Sequence, residues 1–256
     1  MKKLAIAIAL TLAAGAVYAK SPSVIRFGVD PSYAPFESRA TDGQLVGFDI
    51  DLGNEICARL KARCVWVENA FDGMIPALKA RKFDGILSSM SVTDKRLAQI
   101  AFTDPIDNVL PRLVAKRGSN LQPTPESLKG KSVGVEQGST QETYARTYWE
   151  PKGVIIRAYQ TQDLVYSDLV SGRLDAALQS SVQADLGFLK TASGRDFAFA
   201  GPEIRDPKTL GTGAAIGMRK EDNELRQQIN EALAAIIHDG TYQRIARKYF
   251  SFDIYN

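Results

Sequence analysis

Short apolar stretches alternate with amphipathic ones along most of this chain, and that alternation predicts strands and helices in turn. The first series reads strand Val24–Val29, helix 49–60, strand 64–67, helix 73–80 and strand 83–87. A second series repeats it as strand 132–135, helix 141–148, strand 154–159, helix 162–171 and strand 175–179. This βαβ rhythm implies two similar α/β lobes. The stretches 107–115 and 201–218 flank the second series and carry Pro111, Pro202 and Pro207, so they read as extended crossings between lobes. Amphipathic helices 223–238 and 241–249 then return to the first lobe. The expected organisation is residues 20–107 plus 214–256 in lobe I, 112–204 in lobe II, and crossings at 108–111 and 205–213.

The first nineteen residues break the pattern. Met1-Lys2-Lys3 precedes an apolar core and small residues closing on Val17-Tyr18-Ala19, the layout of a secretory signal peptide with its cleavage site. Its apolar core is shorter than the ~20 residues needed to span a bilayer. Export to a periplasm is the expectation, with a membrane anchor as the alternative.

Composition narrows the function further. Removing the leader takes away Lys2 and Lys3, so 32 basic side chains become 30 against 29 acids and the net charge falls from +3 to +1. A balance so close to neutral, with no basic cluster, does not point to nucleic acid. The only cysteines are Cys57 and Cys64, an even pair in an exported chain, which argues for one disulfide rather than a metal or catalytic site. Closing so short a loop would contribute roughly 2.5 kcal/mol. Two free thiols are the alternative. His238 is the only histidine, which excludes a zinc site built from several imidazoles and leaves serine or cysteine catalysis a single imidazole to use. No metal and no cofactor are expected.

The most informative run is Gly85-Ile-Leu-Ser-Ser-Met-Ser-Val-Thr-Asp-Lys-Arg96. It places Ser88, Ser89 and Ser91 at a strand end, then the N-capping chemistry of Thr93-Asp94, then Arg96. Hydroxyls, free backbone N–H groups and a planar guanidinium together suit capture of a small carboxylate. A polar loop capping a helix would read the same way in isolation.

Several segments carry a family resemblance over the whole mature length. They are Gly28-Val-Asp-Pro-Ser-Tyr-Ala-Pro-Phe36, Gly47-Phe-Asp-Ile-Asp-Leu52, Phe71-Asp-Gly-Met-Ile-Pro76, the serine run to Arg96, Gly138-Ser-Thr-Gln141 and Gly172-Arg-Leu-Asp-Ala176. The chain resembles the periplasmic solute-binding proteins of amino-acid ABC importers, specifically the lysine/arginine/ornithine and histidine binders. The resemblance implies a two-lobed periplasmic binding protein fold of type II, with the ligand held between the lobes. It also implies a membrane permease and its cytoplasmic ATPase as partners, a monomer, and no catalysis.

Carried over residue by residue, the resemblance implies that Arg96, Ser89 and Ser91, with Ser88 beside them, hold the α-carboxylate from the first lobe. Thr140, behind Ser139, would add its backbone N–H from the second lobe, where a helix start favours an anion. Tyr33 and Phe71 match an aromatic pair that sandwiches the ligand side chain. Asp30 matches an acid that receives a guanidinium or ammonium at the far end.

One position departs. Where the family carries an aspartate for the α-ammonium, this chain has Ser180, followed by Ser181. A buried ammonium without a countercharge is costly. Either Glu136 replaces the missing acid or the ligand is N-substituted, as in an opine such as octopine, and Gln141 could contribute to both arrangements. Transport of a cationic amino acid is the leading expectation, an opine binder the runner-up, and a periplasmic dehydratase using Glu136 a third reading.

Overall fold

The computed structural model describes residues 22–255. The signal-peptide reading of residues 1–19 lies outside the described residues. Among those residues no helix is long and apolar enough to cross a membrane.

Two five-stranded sheets organise the molecule. In the first, the strands stand in the order Arg63–Glu68, Val24–Val29, Gly85–Ile86, Ala214–Met218, Ala101–Asp107. Its first three strands are parallel, and Ala214–Met218 runs antiparallel to both neighbours. The second sheet repeats the plan with Ile155–Tyr159, Ser132–Glu136, Ala176–Ser180, Pro111–Lys116 and Phe197–Glu203. A small sheet of Ser32–Tyr33, Glu37–Arg39 and Leu45–Val46 sits at the edge of the first lobe.

Helices cover both faces of each sheet, which is why the central strands are apolar on both sides. All five residues of Ala214–Met218 and of Ala176–Ser180 are buried. On one side of the first sheet, Ile25, Phe27 and Ile216 pack with Phe48, Leu52 and Ile56 of helix Phe48–Arg59. The C-terminal helices Asn223–His238 and Thr241–Ala246 add Ile229, Leu233, Ile236 and Tyr242 to the same core, so the chain does return to its first lobe. Cys57 and Cys64 form a disulfide that ties helix Phe48–Arg59 to the edge strand Arg63–Glu68.

Three local differences from the pattern reading stand out. The expected strand 83–87 is assigned only at Gly85–Ile86, although Asp84 and Leu87 still donate their N–H groups to Arg26 and Gly28, so the pairing extends beyond the assigned bounds. The returning crossing contains a helical turn, Pro207–Leu210, where extended chain was expected. Pro207 stands at its first position and the Asp206 carboxylate accepts a bond from the Thr209 hydroxyl at 2.6 Å, both of which favour a helix start. The segment Gln183–Leu189 forms a π-helical stretch that periodicity did not suggest.

Candidate functional site

Chain crossings bring the ends of both sheets to one cleft. The cavity there encloses about 600 Å³ between its walls, open solvent included. All twelve residues expected from the sequence line it: Asp30, Tyr33, Phe71, Ser88, Ser89, Ser91 and Arg96 from the first lobe, and Glu136, Ser139, Thr140, Gln141 and Ser180 from the second. Phe36, Glu37, Asp107, Val109 and Ala214 complete the lining and were not anticipated.

Arg96 forms the anion-binding end. Thr93 caps the helical turn Asp94–Leu97, its hydroxyl accepting the Arg96 N–H at 3.3 Å, and this aims the side chain into the cleft. Only 8% of Arg96 is exposed. Its guanidinium donates to the carbonyls of Ser91 at 2.7 Å and Gly138 at 3.1 Å, and it lies 5.4 Å from the centre of the Phe71 ring. Burial alone pushes its pKa down to about 10. Among the described residues no carboxylate forms an ion pair with it, so a buried positive charge is presented to whatever fills the cleft. From the facing lobe, helix Thr140–Tyr148 begins with Ser139 as its cap, and its dipole directs positive potential at the same place.

The remaining walls are acidic. The Asp30 carboxylate accepts the Ser32 hydroxyl at 2.8 Å and the Phe71 N–H at 3.0 Å, while burial raises its pKa. Glu136 closes strand Ser132–Glu136; burial first, and then the charge of Asp30, holds its carboxyl well above the usual range. Asp30 and Glu136 thus line the cavity from opposite lobes and feel each other's charge.

A second acidic group lies by the serines. Ser88 donates its hydroxyl to Glu37 at 2.8 Å and accepts the Asp30 N–H at 3.0 Å. Ser89 turns its N–H to Asp49 at 2.8 Å, with its hydroxyl 3.4 Å from Glu37. The structure thus directs Ser88 and Ser89 toward acids and leaves Ser91 beside Arg96. Burial drives Glu37 upward, and Asp49, fully buried behind it, up to about 7. Asp49 lies between Phe48 and Ile50, an acid within an apolar stretch that was the signal available for it, whereas Glu37, followed by Ser38 and Arg39, carried no such signal.

The lobes touch across the cleft. The Tyr33 hydroxyl donates to Gln179 at 2.9 Å, and Gln137 donates to Asp72 at 2.8 Å. Gly138, at φ +78°, abuts Asp72 so closely that a Cβ would fall 2.8 Å from the Asp72 Cα. Among the described residues no group of three or more His, Cys, Asp or Glu could hold a metal ion.

Residues 25–252 match the bacterial extracellular solute-binding proteins, family 3. Over 258 residues the chain is 53% identical to the histidine-binding periplasmic protein of Escherichia coli (strain K12), and equally to the lysine/arginine/ornithine-binding periplasmic protein of that strain. Each alignment covers 100% of this chain and 99% of the relative. Among solved structures, a Salmonella typhimurium periplasmic binding protein described for its high arginine specificity has a TM-score of 0.84 at 31% identity, covering 90% of this chain and 100% of that one. With the family match and these full-length relatives resting on the same two-lobed architecture, the chain belongs to the bacterial extracellular solute-binding proteins, family 3.

Proposed function

We propose that this chain is the periplasmic binding component of an ABC importer and captures an amino acid with a cationic side chain between its two lobes. One observation carries the reading: four carboxyl groups, Asp30, Glu37, Asp107 and Glu136, line a cavity in which Arg96 is the single cationic wall residue among the described residues. A ligand with one carboxylate and two positive charges complements that imbalance, because its carboxylate pairs with Arg96 and its two cations each meet an acid.

Arg96, Ser91 and the Thr140 N–H take the α-carboxylate in this reading. Asp30 and Glu136 take the side-chain guanidinium or ammonium, and Tyr33 and Phe71 flank its aliphatic stem. Residues 20–107 with 214–256 act as one lobe and 112–204 as the other, moving about the crossings at 108–111 and 205–213. Full-length relatives named for binding histidine and for binding lysine, arginine and ornithine support a ligand of that class, which in this reading is handed unchanged to a membrane permease.

Ser180 favours a second reading, an opine such as octopine, since a hydroxyl there leaves room for a substituent on the α-nitrogen. Charge balance weighs against it: an opine brings a second carboxylate, and among the described residues the wall offers that group no second cation.

The test is calorimetric titration of mature protein, denatured and refolded to strip bound ligand, with L-arginine, L-lysine, L-ornithine, L-histidine and octopine. Tight binding of a basic amino acid supports the first reading. Binding of octopine alone supports the second.

A further inference from the structure

Asp107 ends strand Ala101–Asp107 at the mouth of the first crossing. It lines the cavity, is only 4% exposed, and its Oδ2 has no hydrogen-bond partner. A buried carboxylate oxygen left unpaired in a residue that borders a cavity is a costly arrangement that a bound cation would relieve.

Its neighbours give it a direction. In the sheet Asp107 stands opposite Ala214, and an isolated bridge sets Ala214 opposite Ser91, so the three occupy one row across adjacent segments and all line the cavity. Ser91 and Asp107 are thus two strand spacings apart, about 10 Å. That span suits two charged hydrogen bonds of about 3 Å each with an α-carbon between them, lying over the small side chain of Ala214. Ser91 holds the guanidinium of Arg96 through its carbonyl, so the row runs from the anion-binding end to an acid.

Ser180, the position where an ammonium-binding aspartate was expected, borders the other end of the same crossing. It pairs with Pro111, and the Ser181 N–H donates to the Leu110 carbonyl at 2.9 Å. Glu136, the replacement anticipated from sequence, also feels the charge of Asp30.

Resting on the cationic amino-acid reading above, we propose that Asp107 is the countercharge for the ligand's α-ammonium, transferred from the second lobe to the end of the first-lobe strand. Burial pushes its carboxyl up to about 7, with the charge of Asp49 adding to the effect and the Val109 N–H offsetting part of it. A cation placed there would restore the ionised form.

The experiment compares ligands with and without the α-amino group on refolded, ligand-free protein: L-arginine against 5-guanidinopentanoate, and L-lysine against 6-aminohexanoate. Wild type should prefer the α-amino member of its better pair. Asp107→Asn should lose about 10- to 100-fold of that preference. Its affinity for the desamino ligand should fall by less than its affinity for the α-amino ligand, circular dichroism reports an intact fold, and Asp107→Ser serves if the asparagine variant does not refold. Ser180→Asp placed on Asp107→Asn should recover the preference. If Asp107→Asn keeps the preference, or Glu136→Gln abolishes it, the assignment to Asp107 is overturned while the cationic amino-acid reading stands. If wild type binds none of the four compounds and neither L-ornithine nor L-histidine, that reading itself falls and the assignment with it.

Discussion

The two ends of the cavity solve opposite problems with different economy. At one end, a single buried guanidinium with carbonyl partners and no acid waits for an anion. At the other, carboxyls outnumber cations, and burial, with neighbouring acids adding to it, raises the proton affinity of Glu136, Glu37 and Asp107. The first end is rigid and specific for one group. The second is a field that any correctly placed positive charge can relieve, so it can distinguish cationic from neutral side chains without a matched hydrogen bond to each.

The sharpest way to break the comparison is to remove its positive pole. Arg96→Met should weaken binding of the best basic amino acid by about 2–5 kcal/mol, because the ligand carboxylate is left buried and unpaired. Titration calorimetry reads this directly, with thermal unfolding as a check on the fold. A change near zero would mean that the anion end lies elsewhere.

Neutralising one acid should matter less, since the others remain. Asp30→Asn is expected to cost about 1.5–3 kcal/mol with L-arginine while leaving the binding of a neutral amino acid such as L-glutamine little changed. An equal loss for both ligands would show that Asp30 only supports the Phe71 backbone.

Acidity provides a subtler contrast. Asp49 and Asp107 are each raised to about 7, against about 3.9 when unfolded. A raised carboxyl favours the folded state while protonated, so that stability is present below about pH 4 and is lost as pH climbs toward 7. The thermal midpoint of ligand-free protein should therefore fall from pH 5 to pH 7. Asp239, pulled down to about 2 by bonds from Thr241 and Arg59, exerts its opposite effect below that window. Affinity for a basic amino acid should move the other way, rising by about tenfold from pH 6 to pH 8 as one proton leaves the acidic end. A flat affinity profile would show that the cation displaces no proton.

The smallest effect on binding belongs to the disulfide. Replacing Cys57 and Cys64 with alanine should lower stability by about 2.5 kcal/mol in denaturant titration and leave ligand affinity as it was. Their seven-residue separation spans a helix and an edge strand outside the cavity lining.

Much of this was legible in the order of residues, for identifiable reasons. Strand Val24–Val29 and helix Asn223–His238 have strong apolar periodicity and clear boundaries, and the structure reproduces both. The twelve expected lining residues sit in compact motifs, and the fold gathers them around one cavity. What escaped depends on chain pairing. Asp107 reads as the polar start of a crossing until the sheet sets it opposite Ala214, and Glu37 reads as a surface residue until Ser88 is brought against it. The turn at Pro207–Leu210 was masked by the proline that starts it.

The central claim is that the acidic walls select a positive side chain. It is tested most directly by titrating ligand-free protein with L-arginine, L-lysine and L-ornithine beside the neutral L-citrulline and L-glutamine. At least one cationic amino acid should bind more than about tenfold tighter than either neutral one, equivalent to about 1.4 kcal/mol. Equal or tighter binding of citrulline or glutamine would contradict the account.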